Sequence, residues 1–235
     1  MYNQLIILPT DRILVVAPHP DDETVGCGGL LALYRQQCDV LLLTDGRKGV
    51  PADRSKTEAE TAQIRKAEFE TVMDFFGVLN YRELGIRDSS LRENVKAVCT
   101  VDLTGYDWVF VPNRNERHPD HAATYRIIKK LRKKQRAKAR LIEYEVWSPI
   151  IAPNRFLDIS AAMETKTAAL EKYASQVAEI NYVKLAQGLN SYRGAPHHVE
   201  FCEAFFLEPE RRKRLARMLP ACLRRTLAKL RGKRA

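Results

Sequence analysis

Residues 13–29 read ILVVAPHPDDETVGCGG. The first five, Ile13–Ala17, are apolar and largely β-branched, the composition of a short strand buried on both faces. Pro18 and Pro20 break that run, and a helical pattern covers about 24–37. A buried strand, a sharp turn and a helix in that order open a βαβ unit. The same alternation continues outward. Val40–Thr44 (VLLLT) and Trp108–Pro112 (WVFVP) read as further buried strands, with weaker candidates at Tyr81–Leu84, Leu141–Trp147 and His198–Leu207. Helical patterns fall at about 57–76, 89–100 and 120–138, and one or two more lie within 161–192. In the 57–76 segment Ile64, Ala67, Val72, Phe75 and Phe76 keep an approximate helical period, and Gly77 supplies a stop. The pattern predicts an α/β, three-layer fold, a mostly parallel sheet with helices on both faces. Trp108 and Trp147, both on strand patterns, are expected in or beside the core.

The composition suits a soluble globular chain of 235 residues, with 45% hydrophobic and 29% charged residues. No apolar run reaches the length of a membrane span, and no secretory leader is visible at Met1. Cys27, Cys38, Cys99, Cys202 and Cys222 form no C-x-x-C pair, so a reduced, cytoplasmic setting is expected.

Parallel sheets place their ligands beyond the carboxyl ends of the strands. Two clusters stand there: His19 with Asp21, Asp22 and Glu23 after Ile13–Ala17, and His118-Pro119-Asp120-His121 after Trp108–Pro112. Pro119 suits the first position of a helix, which puts His118 at its cap and His121 in its first turn. His, Asp and Glu converging from two loops fit a metal bound by three protein ligands, with a fourth position for water. The plainer reading is that the acids cap the helices that follow and the histidines are structural. The residues alone leave these two readings about even. Gly26, Gly28 and Gly29 miss the G-x-G-x-x-G spacing of a dinucleotide site and read instead as close packing of the first helix. Cys27 reads as a small buried filler. His197 and His198 read as loop residues, and Lys166, Tyr173 and Gln176 as structural.

The string APHPDDET at 17–24, the following Gly-Cys-Gly-Gly at 26–29 and His-Pro-Asp-His at 118–121 together resemble the PIG-L/LmbE family of zinc-dependent N-deacetylases. Weaker echoes are Arg65 and Glu68, Gly85-Ile86-Arg87-Asp88, the string from Asp158 to Gln176, and Glu203-Ala204-Phe205. The resemblance spans about residues 10–206. It implies a Rossmann-like fold that hydrolyses an acetamide on an N-acetylglucosamine-type sugar, with Zn2+ as cofactor. By position, it implies His19, Asp22 and His121 as zinc ligands and Asp21 as general base. His118, as the imidazolium, would steady the tetrahedral intermediate, and Arg65 and Asp88 would contact the sugar.

The net charge of +10 is concentrated. Residues 126–140 carry nine Lys/Arg and no acid, and residues 208–235 carry eleven against Glu208 and Glu210, leaving the rest at −8. Leu215, Leu219, Leu223, Leu227 and Leu230 give the last segment an apolar stripe, interrupted by Pro220. The chain therefore reads as one deacetylase domain, 1–207, followed by a basic amphipathic tail, 208–235, able to meet an anionic membrane surface. That places the protein in the cytoplasm, with a possible peripheral seat on the inner face of the membrane. Two carriers of the sugar follow: an envelope glycolipid or lipopolysaccharide precursor, or a small soluble conjugate. A third reading, a non-catalytic protein binding an anionic polymer, lacks any nucleic-acid motif.

Overall fold

The computed structural model describes residues 2–49 and 55–209. Eight strands form one sheet: β1 (Asn3–Gln4), β2 (Ile13–Ala17), β3 (Cys38–Thr44), β4 (Asn80–Ile86), β5 (Trp108–Pro112), β6 (Arg140–Tyr144), β7 (Arg155–Asp158) and β8 (Cys202–Leu207). Their order is β1-β7-β8-β6-β5-β2-β3-β4. Pairing is parallel throughout except at β8, which runs antiparallel to both β6 and β7. The expected α/β sheet is present.

Alternation along the strands divides the core into two layers. Ile13, Val15, Val40, Leu42, Phe110 and Ile142 face one way, against α1 (Asp22–Tyr34), α2 (Glu58–Phe76), α5 (Met163–Glu171) and α7 (Tyr182–Gly194). Leu14, Val16, Leu41, Leu43, Val109 and Leu141 face the other, against α3 (Val95–Val98) and α4 (Pro119–Gln135). A four-residue helix, α6 (Ala174–Val177), joins α5 to α7.

The glycine-rich stretch works as close packing. A Cβ on Gly26 would lie 2.1 Å from the Tyr144 ring, and one on Gly29 would lie 2.3 Å from Ile159. Helix α2 starts on a Thr57–Glu60 capping box and ends at Gly77 with φ +72°, the left-handed stop expected there. Its buried stripe differs from the expected one. Thr61, Arg65, Phe69, Val72, Met73 and Phe76 face inward, whereas Ala67 and Phe75 are exposed. An arginine on the inward stripe masks that face from a purely apolar count. Between 89 and 100 only α3 is helical, because Ser89 (φ +65°) opens a run of turns. The two-residue edge strand β1 and its short neighbour β7 were not expected from the sequence, being too brief to carry an apolar pattern. The tail helix expected within 208–235 lies, but for its first two residues, outside the described residues.

Candidate metal centre

The strand order reverses between β2 and β5, and the loops beyond those two strands frame a crevice. After β2, the Pro18 carbonyl accepts from both the N–H and the hydroxyl of Thr44 (2.9 and 2.7 Å), which fixes the turn carrying His19. Asp21 sits at the N-cap of α1 with φ +117°, a strained conformation for a residue other than glycine. After β5, His118 caps α4 by accepting the Asp120 N–H on Nδ1 (3.3 Å), Pro119 takes the first helical position and His121 follows in the first turn. The expected cap is in place.

Three donors converge from these loops. His19 Nδ1 lies 3.2 Å from Asp22 Oδ2 and 3.2 Å from His121 Nε2, and His121 Nε2 lies 3.1 Å from the same Asp22 oxygen. Ligands sharing one ion at bonds of roughly 2.0–2.2 Å stand about 3 Å apart, so the triangle has the size a single metal requires. All three residues are buried. The His118 ring packs edge-on to His19 with centroids 4.6 Å apart. His19, His118 and His121 also offer nitrogens that lie within 4.8 Å of one another.

The surroundings orient the donors. His19 Nε2 faces Asp88 Oδ1 (3.3 Å) and Asp120 Oδ2 (3.5 Å), so its proton belongs on Nε2 and its lone pair on Nδ1, toward the triangle. His121 Nδ1 faces Glu116 Oε2 at 3.8 Å, and neither atom has a hydrogen-bond partner among the described residues. Glu116 Oε1 accepts the backbone N–H groups of Val146, Trp147 and Ser148 at 3.0–3.3 Å. Buried carboxylates crowd the crevice, namely Asp21, Asp22, Glu23, Asp88, Glu116 and Asp120, with the Arg65 guanidinium beside them. Such an excess of buried negative charge suits a cation. The donor set fits the expected metal.

Asp21 is held from three sides. Burial pushes its carboxyl up to about 8, against the pull of Arg65 and with further upward pressure from Asp22 and Glu23. Arg65 Nη2 donates to Asp21 Oδ2 (2.9 Å) and to the Pro20 carbonyl, and Nη1 donates to the Gly46 carbonyl (2.9 Å). The Asp21 N–H donates to Glu23 Oε2 (3.2 Å), and Glu23 in turn accepts from Tyr173 (2.5 Å) and Thr24 (2.6 Å). Burial, then the neighbouring His19 and His121, lower the pKa of His118, and its Nδ1 accepts the Asp120 N–H, so a proton it donates is carried on Nε2.

A cavity of about 310 Å³ opens onto these groups and includes Arg65 and Asp88 in its wall. Both are more engaged with protein than a pure sugar contact requires. Despite burial, Asp88 is held well below the usual carboxylate range by His19, by the Lys48 N–H and by the Ser89 hydroxyl. Asp120, for which helix capping was the plainer of two readings, accepts the Ser89 N–H on its carboxylate (2.8 Å) and faces His19. Trp108 is buried as expected, but Trp147 is 40% exposed and lines the cavity with Ile180 and Tyr182. Glu116 and Trp147 carried no local signal. His197 stacks on Phe156 (centroids 3.8 Å) away from this wall, Cys27 is a buried filler, and Lys166 is sealed in a pair with Glu203.

A match to the PIG-L family, described as GlcNAc-PI de-N-acetylase, runs over residues 14–131. Diacetylchitobiose deacetylase of Thermococcus kodakarensis is 30% identical over 192 residues, covering 72% of this chain and 71% of that protein. A probable N-acetyl-alpha-D-glucosaminyl L-malate deacetylase 2 of Bacillus cereus is 27% identical, covering 70% and 83%. Among solved structures, N,N'-diacetylchitobiose deacetylase from Pyrococcus horikoshii superposes with a TM-score of 0.73 at 25% identity, covering 85% of this chain and 84% of that one.

Proposed function

The chain belongs to the PIG-L family, and from that premise we propose that it is a metal-dependent hydrolase removing the N-acetyl group from an N-acetylglucosamine-type sugar. The observation that carries the reading is the convergence of His19, Asp22 and His121, with Asp21 and His118 beside them. These three residues would hold the ion, and their N/O donor set suits zinc. When bound, such an ion acidifies water and polarises a carbonyl. Asp21 takes the proton of the attacking water and returns it to the departing amine, a role suited to a carboxyl raised by burial. His118 donates Nε2–H to the oxygen that gains charge as the amide carbon becomes tetrahedral. Arg65 holds Asp21 in its strained position, and Asp88 both orients His19 and offers an acceptor to sugar hydroxyls.

Residues 1–207 form the catalytic domain in this proposal, and 208–235 a basic extension that meets an anionic membrane surface at the cytoplasmic face. That charge map supports an envelope glycolipid or lipopolysaccharide precursor as the carrier. The relatives, a diacetylchitobiose deacetylase and a probable N-acetyl-alpha-D-glucosaminyl L-malate deacetylase, support a small soluble carrier equally well. Among the described residues, no helix is long and apolar enough to cross a membrane. The test is a mass-spectrometric screen of soluble and lipid-linked N-acetylglucosamine conjugates for loss of an acetyl group. Metal-loaded protein that leaves every member intact overturns the proposal.

A further inference from the structure

An aspartate at the start of a helix ordinarily turns its carboxylate back onto the N–H groups two or three residues further on. Asp21 stands at the N-cap of α1 and makes no such bond. Its carboxylate lines the cavity instead, where Arg65 Nη2 meets Oδ2 at 2.9 Å. Local preference therefore does not account for this residue or for its φ of +117°. The torsion φ sets the N–H against the groups on Cα, so fixing both ends fixes the angle. Arg65 fixes the side chain. The N–H is fixed by Glu23, whose Oε2 accepts it at 3.2 Å. Glu23 is fully buried, and its other oxygen accepts two hydroxyls, Thr24 at 2.6 Å and Tyr173 at 2.5 Å. Thr24 belongs to the same helical turn and moves with it. Tyr173 lies beyond α5, fully buried, with its N–H on the Leu170 carbonyl (3.1 Å) and its carbonyl accepting from Gln176 and Val177 (2.9 Å each). The phenol is thus a fixed post outside α1 against which Glu23 is braced.

We infer that Tyr173 is a positioning residue: through Glu23 it holds the Asp21 backbone in the strained conformation that keeps the Asp21 carboxylate turned to the cavity and off the end of α1. The inference rests on the reading of Asp21 as general base, and it gives a role to two buried groups that the proposed mechanism leaves unused. Without the phenol, Glu23 turns, the Asp21 N–H is released and φ relaxes to a negative value. The carboxylate then reaches its ordinary capping partners, the Glu23 and Thr24 N–H groups, and the attacking water loses an aligned base.

Full-length, zinc-loaded protein is compared with Tyr173→Phe, Asp21→Asn and the double variant on N,N'-diacetylchitobiose, with zinc content measured alongside. In the parent background Tyr173→Phe lowers kcat about tenfold, the scale of a base displaced by a fraction of an ångström, with KM and zinc content unchanged. In the Asp21→Asn background the same substitution costs nothing further. Equal loss in both backgrounds, or a loss carried by KM or by the metal, makes the tyrosine a packing residue and overturns the inference. A second readout does not depend on turnover. In protein carrying isotope-labelled aspartate, the Asp21 amide proton, hydrogen-bonded to a carboxylate, resonates downfield and moves upfield in Tyr173→Phe. An unmoved resonance overturns the inference too. If the parent leaves every conjugate intact and the amide still moves, the brace stands and the deacetylase reading falls. Where circular dichroism shows Tyr173→Phe to be misfolded, the pair Glu23→Met with Tyr173→Phe carries the same comparisons, since it removes the bond while leaving no buried partner stranded in it.

Discussion

Asp21 combines a strained backbone, a raised carboxyl and a fixed arginine partner, and none of these serves packing. Asp21→Asn is expected to lower kcat by about 10²–10⁴, the usual worth of a positioned general acid–base group, while metal content by mass spectrometry stays near that of the parent. Loss of the metal instead would exchange the roles of Asp21 and Asp22. Glu116 predicts a different signature. Glu116→Gln keeps an acceptor for the 146–148 N–H groups but removes the charge facing His121. Affinity for zinc, measured by chelator competition, is expected to fall about 10–100-fold. If Glu116 serves only the turn, affinity is unchanged. His19, Asp22, His118 and His121 were legible in the sequence because each cluster is local and ends a strand. Glu116 and Trp147 were not, because the pairing that gives them meaning joins loops about 30 residues apart.

Helix α1 carries Asp22 at its start and is interrupted at Cys27, where φ −136° and ψ 15° leave the helical region. The N–H groups beyond the break, at Gly29 and Leu30, end on the two oxygens of Glu203 (2.8 and 3.0 Å), which also pairs with Lys166 Nζ at 2.8 Å. The antiparallel strand β8 thus fastens the helix that presents a candidate metal ligand. Glu203→Ala strands a fully buried ammonium and is expected to cost about 3–5 kcal/mol in urea unfolding, with Lys166→Met in the same chain restoring much of it. The end of β8 offers a pH test. Despite burial, Lys129 and Tyr125 hold the Glu208 carboxyl below its ordinary range. Its contribution is present above the unfolded pKa and fades as pH falls through the lower folded value. Lys129 is partly solvated, so Glu208→Gln should cost under about 1 kcal/mol at pH 7, with the gap closing below pH 4. Strand β2 and the limits of α2 and α4 were readable from apolar runs, Gly77 and Pro119. The inward face of α2 was not, because Arg65 lies on it and polarity there reports function instead of exposure.

At the scale of the whole molecule, the described basic segment runs along α4, away from the metal donors at its start. Vesicle sedimentation tests the basic half. Full-length protein is expected to bind anionic vesicles at low salt and to release as ionic strength rises, and removal of residues 210–235 should weaken that binding severalfold. Unchanged binding would reject the tail as the contact. The sequence located both basic segments and placed the first along the helix that leaves the site, as the path of α4 shows, whereas the second lies, but for Glu208 and Pro209, outside the described residues. That helix starts at the metal donors with His121 and ends among Arg132, Lys133 and Lys134, at the edge where β6 begins with Arg140. Seventeen residues of helix measure about 25 Å. Helix α4 is therefore a standoff. On the proposed function, a membrane met by its basic end would stand about a helix length from the metal donors, and a lipid-linked sugar would reach the cavity only on a carrier long enough to span that distance.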